Sequence, residues 1–133
     1  MPVLGYRDCA GHEAAVGRDH LLAAWAINAL AASIAETEGA AEAAALFAEA
    51  EAITARRLSP GHPDRVRNAS DLADNLIDRG EARSALILTR DTGLAVRARL
   101  GDARSAGDSA GAKARARRAF ALQVRAAWRL AGE

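Results

Sequence analysis

Three aspartates share one side of a predicted helix in the middle of the chain. Asp71, Asp74 and Asp78 are spaced i, i+3 and i+7, which places their carboxylates on one helical face. Three carboxylates at such short spacing repel one another, so they suit a cationic partner segment or a divalent ion. A solvated acidic face is the commoner role of such a charge run. No loop supplies the further oxygen ligands that a divalent ion requires, so we predict no metal here.

Two other groups of residues have types that can do chemistry. Cys9 and His12 have the Cys-x-x-His spacing that begins some zinc sites, and His20 follows, but no second close pair completes four ligands. His62 precedes Pro63 and has no adjacent nucleophile. We therefore predict that it forms a hydrogen bond within a turn instead of transferring a proton. No glycine-rich phosphate motif or nucleophile elbow is present. We therefore expect no enzymatic activity and no cofactor.

Charge is small in total and uneven in distribution. The formal net charge is +1, which argues against nucleic acid as the main ligand even though a short basic cluster occurs near the C-terminus. All charged residues from Asp19 to Ala55 are acidic, whereas most of those after residue 103 are basic. The two ends should attract each other or partners of opposite charge. The basic cluster consists of Lys113, Arg115, Arg117 and Arg118.

Composition favours a helical protein. Of the 133 residues, 50% are hydrophobic but only 4% are aromatic, and alanine dominates, as in closely packed helices. The longest mostly apolar run, residues 21–35, is shorter than the roughly 20 residues of a membrane-spanning helix. Arg7 and Asp8 stand where a secretory signal needs an apolar stretch, and Cys9 is the single cysteine. We expect a cytoplasmic protein with no membrane contact.

A repeat of 41 residues organises the centre of the chain. Small residues recur where helices must touch, and a glycine recurs between two helical patterns, which is typical of stacked helical hairpins. The matching residues are Ala32, Gly39, Ala44, Ile53 and Arg56, followed by Ala73, Gly80, Ala85, Leu94 and Arg97.

The helical periodicity predicts five helices. Asp19 and Asp64 stand where N-caps of the first and third helices belong, and Gly39 and Gly80 stand where these two helices end. The predicted helices cover residues 21–38, 41–58, 65–79, 81–100 and 112–130. The prediction divides the chain into an irregular arm (1–18), two hairpins (19–100), a flexible linker (101–111) and a basic, amphipathic capping helix (112–133).

The capping helix has two sides, and each can pack. We predict that its apolar side covers an apolar stripe of the fourth helix that includes Ile87 and Leu94, because a hairpin repeat cannot bury its outer face alone. Its arginine side can instead lie against the acidic face of the third helix. We expect both tryptophans, Trp25 and Trp128, in the core; the alternative is an exposed Trp128 that anchors an interface. The apolar side consists of Phe120, Val124, Ala127 and Trp128, and the arginine side of Arg118, Arg125 and Arg129.

Two stretches of the chain resemble the tetratricopeptide repeats of the kinesin light chain type. They are the junction Leu58-Ser59-Pro60-Gly61-His62-Pro63-Asp64 and the pattern Leu72-Ala73…Leu76…Gly80…Ala85. The resemblance covers roughly residues 20–100. It implies an α-α superhelix of about two repeats with a concave surface that binds partner segments. Asp71 and Leu30 stand where peptide-binding members of the family have asparagine.

These observations predict a non-catalytic protein-protein interaction module, a scaffold whose concave acidic face binds a protein or peptide, with a basic segment suiting it best. We also expect a homodimer formed through an exposed terminal surface, because two repeats alone make a short stack. The alternative is a regulatory or sensing subunit of a transcriptional or biosynthetic system that binds a small molecule or partner between helices. The predicted contact residues are Arg67, Ser70, Asp71, Asp74 and Asp78 from the third helix and Ser33, Glu36 and Thr37 from the first.

Overall fold

The computed structural model describes residues 20–102 and 109–133, and this part of the chain is all-helical, which confirms the predicted all-α class. The whole predicted arm (1–18) and the centre of the predicted linker lie outside the described residues. The helices are α1 (Leu21–Thr37), α2 (Ala40–Arg57), α3 (Pro63–Asp78), α4 (Ala82–Asp102) and α5 (Ser109–Ala131).

Helices that follow one another in sequence pack against one another. α1 packs on α2, α2 on α3, α3 on α4 and α4 on α5, and α5 also contacts α3. The last helix therefore lies against both members of the preceding α3–α4 hairpin. This is the arrangement in which each added helix covers a hairpin that cannot bury its own outer side.

Histidines cap the first and third helices. The His62 Nδ1 accepts a hydrogen bond of 3.1 Å from the Asp64 amide, which confirms the prediction that His62 bonds within this turn. The predicted Asp64 cap is wrong, because Pro63 is the first residue of α3 and Asp64 belongs to its first turn. Proline suits that position, since its missing amide hydrogen would find no partner there. His20 caps α1 in the same way through Leu22, whereas the predicted cap, Asp19, lies outside the described residues.

Glycine is required at the turns that close both hairpins. Gly39 has φ +111° and Gly80 has φ +81°, conformations that side chains with a Cβ rarely adopt. After α3, the Gly80 amide donates to the Ile77 carbonyl at 3.0 Å and the Glu81 amide to the Leu76 carbonyl at 2.8 Å. These two bonds satisfy carbonyls at the helix end, so the chain can reverse directly into α4.

The core consists mainly of alanine. Among the residues that the structure describes, eleven of the seventeen buried apolar residues are alanines, so the helices meet mainly through small side chains. Buried amides add specific links between α3 and α2, because Asn75 Nδ2 donates to the Ala40 carbonyl at 2.9 Å and Asn68 Nδ2 to the Ala50 carbonyl at 3.5 Å. The buried alanines are Ala24, Ala31, Ala43, Ala50, Ala69, Ala73, Ala82, Ala85, Ala116, Ala119 and Ala126.

The rotation of α5 about its axis differs from the leading prediction. The buried side of α5 consists of three alanines and Leu122, and Leu122 and Ala126 pack with Ala73, Ile77 and Ala85. The prediction that the aromatic side covers α4 is therefore wrong, and so is the prediction of tryptophans in the core. Small side chains allow a closer approach of α5 to two helices at once than Phe120 or Trp128 would allow. The exposed fractions are 39% for Phe120, 67% for Val124, 80% for Trp128 and 59% for Trp25.

Enlarging a residue on the buried side of α5 is expected to destabilise the fold. Ala126 is fully buried, so Ala126→Leu should lower the free energy of unfolding by about 1–3 kcal/mol through overpacking. Val124→Ser, at an exposed position two residues away, should change it by about 0.5 kcal/mol or less. Urea unfolding followed by circular dichroism measures both. The reverse order of effects would mean that α5 packs through its aromatic side.

The half-buried Glu51 of α2 makes stability depend on pH. Burial raises the pKa of its carboxyl above 4.5, and the nearby Arg65 lowers it by less. The Glu51 carboxyl therefore binds its proton more tightly in the folded chain than in the unfolded chain. At neutral pH the carboxyl is ionised, and its ionised form destabilises the folded state. Glu51→Gln is expected to raise the urea midpoint at pH 7 and to have little effect below pH 4.5. Glu42→Gln, at an exposed position of α2, is the control. An equal gain at both pH values would contradict this explanation.

Candidate functional site

A groove of about 260 Å³ lies between α1, α2 and α3 and is lined by carboxylates of α1 and α3. The charged residues that line it are all acidic, and alanines and Phe47 form its apolar lining. We call it the acidic groove. Asn75, which also lines it, holds α3 to the first residue of α2 and so fixes the position of the aspartates. The lining residues are Ala32, Ala35, Glu36, Ala40, Phe47, Asp71, Asp74, Asn75 and Asp78.

Asp71 joins three helices. Its Oδ2 accepts a hydrogen bond of 2.7 Å from Asn28 Nδ2 of α1, and its Oδ1 accepts one of 2.6 Å from the Arg118 guanidinium of α5. Asn28 is buried, and its own Oδ1 has no hydrogen-bond partner among the described residues. The carboxylate of Asp71 thus supplies the acceptor for a buried amide that has few other partners.

The other two aspartates share one arginine. Arg125 of α5 donates to Asp74 Oδ1 at 2.8 Å through one nitrogen and to Asp78 Oδ1 at 3.0 Å through the other. The structure therefore places the arginine side of α5 against the acidic face of α3. The three side chains are each about half exposed, so each pair contributes at most about 1 kcal/mol to stability.

These ion pairs decide how acidic the groove is. Arg118 and Arg125 approach the aspartates from the α5 side and do not line the groove itself. Arg67 lies one helical turn before Asp71 and is half-buried, and its Nε has no hydrogen-bond partner among the described residues. The guanidinium groups of Arg118 and Arg125 thus offset part of the negative charge of the three aspartates.

The structure brings four of the predicted contact residues together and places the others apart. Glu36 and the three aspartates line the acidic groove. Ser33 and Thr37 are exposed on α1 without lining the groove, and the Thr37 hydroxyl donates to the Ser33 carbonyl at 2.9 Å. Ser70 is only 3% exposed and therefore lies beneath the surface that the aspartates form.

Sequence reasoning missed the asparagines that support the groove. Asn68 and Asn75 are spaced by seven residues on α3 and are buried, as is Asn28 on α1. The seven-residue spacing was the available signal, since it predicts two amides on one helical face. Their burial was not predictable, because it depends on carbonyls of α2 that only the packed hairpin presents.

The remaining candidate sites receive no support from the described residues. Residues 20–102 and 109–133 contain no group of three side chains placed to hold a metal ion. Cys9 and His12 lie outside this part of the chain. In the same part, no helix has the length and apolar character needed to cross a bilayer. No protein-family model matches the chain, and no curated protein is significantly similar to it.

Removing the shared carboxylate of Asp71 should cost more stability than removing an exposed one. Asp71→Ala leaves the buried Asn28 amide without its partner, so we expect a loss of about 1–3 kcal/mol. Asp78→Ala, which removes one exposed ion pair, should cost less than about 1 kcal/mol. Thermal and urea unfolding compare the two variants. Equal small losses would show that the contact between Asp71 and Asn28 does not join α1 to α3.

Proposed function

We propose that the chain is a non-catalytic adaptor that binds a basic segment of a partner protein in the acidic groove. One observation carries the proposal: all charged residues lining the groove are acidic, and most of its other lining residues are apolar. A lysine or arginine side chain fits such a surface, because its methylene stem packs on apolar residues while its charged end reaches the carboxylates.

The α1–α2 and α3–α4 hairpins are, in this proposal, tetratricopeptide-like repeats. The 41-residue offset supports it, since Gly39 and Gly80 occupy matching positions in the turns of both hairpins. So does the junction before α3, where His62 and Pro63 begin the helix. In the implied arrangement α1 and α3 supply the concave surface, and the acidic groove lies between these two helices.

A basic partner has to compete with α5 for the aspartates. Arg125 already pairs with Asp74 and Asp78, and both pairs are accessible to solvent. Exposed ion pairs of this kind are worth about 0–1 kcal/mol, so a partner with several cationic groups can replace them at small cost. The affinity therefore depends on the balance between the partner and Arg125.

Self-association and location complete the proposal. We infer that copies of the chain associate through exposed terminal surfaces, with a homodimer as the first species, which the large apolar side chains left exposed on α1, α4 and α5 support. We place the protein in the cytoplasm, with support from the single cysteine. The sensing of a small molecule stays a prediction, and the carboxylates of the groove favour a cationic ligand over a neutral one.

Two variants that break the same ion pairs should change partner affinity in opposite directions. Asp74→Asn combined with Asp78→Asn removes the carboxylates, so we expect binding of a labelled lysine-alanine peptide to weaken by about tenfold. Arg125→Gln frees the same carboxylates, so we expect binding to strengthen. Fluorescence anisotropy at low salt measures both affinities.

The shared ion pairs provide the control. Any loosening of α5 is common to the two variants, so only direct contact between carboxylates and peptide produces opposite changes. Asp91→Asn, at an exposed position of α4, should leave the affinity unchanged. Changes in the same direction, or no binding of the peptide by the unaltered chain, would overturn the proposal.

A further inference from the structure

The side of the α4–α5 hairpin that faces away from the core has a large apolar surface. Phe120 lies beside α4, with the Arg97 guanidinium 5.4 Å from the centre of its ring and Gly93 close to its edge. Leu94 is next to Gly93 in sequence, and Val124 is one helical turn beyond Phe120, so these side chains form one patch. We call it the outer face. Its large apolar residues and their exposed fractions are Ile87 59%, Leu94 61%, Phe120 39%, Val124 67% and Trp128 80%.

Basic residues lie on the same sides of both helices. Arg83, Arg90 and Arg97 follow one another at seven-residue steps on α4, which places them on one helical face with Ile87 and Leu94. On α5, Lys113 and Arg117 precede Phe120 and Val124 at steps of three and four residues. All five cations are exposed. The outer face is therefore both apolar and positively charged.

The opposite end of the helical stack has the complementary composition. On α1, Leu22, Trp25 and Leu30 are 60%, 59% and 52% exposed. From residue 20 to residue 55 the chain contains no lysine or arginine. We call the exposed side of α1 with the adjoining glutamates the N-terminal face. The exposed glutamates in this part of the chain are Glu36, Glu38 and Glu42.

We propose that the outer face binds the N-terminal face of a second copy, so that copies associate head to tail. A symmetric contact of two outer faces would place exposed cations opposite each other, and two N-terminal faces would place glutamates together. The head-to-tail contact pairs opposite charges around two apolar surfaces. A dimer formed in this way keeps one unused face of each kind, so association continues as the concentration rises.

Two variants, each altering one face, test this arrangement. Val124→Glu changes the outer face, and Leu30→Lys changes the N-terminal face, both at exposed positions where circular dichroism should show an unchanged fold. Each variant alone is expected to self-associate at least about tenfold more weakly than the unaltered chain. Mixed in equal amounts, they should form a one-to-one dimer that grows no further, because one intact face of each kind remains. Native mass spectrometry and sedimentation measure these species.

Every other pattern overturns the proposal. Dimers of Leu30→Lys alone would indicate a symmetric contact of outer faces, and dimers of Val124→Glu alone a symmetric contact of N-terminal faces. A monomer at all concentrations, even if it binds vesicles rich in phosphatidylserine, would show that a second copy is not the occupant. Association of the unaltered chain should weaken as salt rises, and insensitivity to salt would contradict the charge argument. Asp74→Asn with Asp78→Asn should associate normally, which separates this test from that of the acidic groove.

Discussion

Close packing of helices through alanine is the constraint on which the rest of this structure depends. An alanine side chain buries little apolar area, so such contacts stabilise the fold only where helices approach closely over their whole length. The buried faces of α1, α2 and α5 follow this pattern, with Ala31 against Ala43 and Ala126 against Ala73 and Ala85. A few large apolar side chains, among them Phe47, Ile77 and Leu122, also pack between the helices, but nine others remain at the surface of the described residues.

The same constraint determines the electrostatics of the groove. Once α5 packs through Ala116, Ala119 and Ala126, its rotation is fixed, and its arginines lie over the aspartates of α3. Three like charges on one helix face then have cationic neighbours, while their side chains stay 21% to 52% exposed to solvent. The packing of one helix thus leaves an acidic groove on one side of α3 and exposes an apolar, basic surface on the far side of α5.

Much of the fold follows from local signals in the sequence. The glycines at positions 39 and 80 end helices because the backbone there needs positive φ. The aspartates of α3 share a face because helical spacing requires it. These features depend on a few neighbouring residues, so a single sequence is enough to predict them.

The rotation of α5 was not predictable in this way. Its aromatic side and its alanine side both have helical periodicity, and hydrophobicity alone favours burying Phe120 and Trp128. The outcome depends on how closely α3 and α4 allow another helix to approach, which is a property of the assembled hairpin. The burial of the three asparagines has the same origin, since their partners lie on other helices.

The most direct test of the alanine packing is the environment of Trp128. Trp25→Phe leaves it as the single tryptophan, and dilution keeps the chain monomeric. If α5 packs through its alanine side, the fluorescence of Trp128 has the emission maximum of a tryptophan in water, and acrylamide quenches it almost as efficiently in the folded chain as in urea. A blue-shifted emission that is protected from acrylamide in the folded monomer would contradict the account.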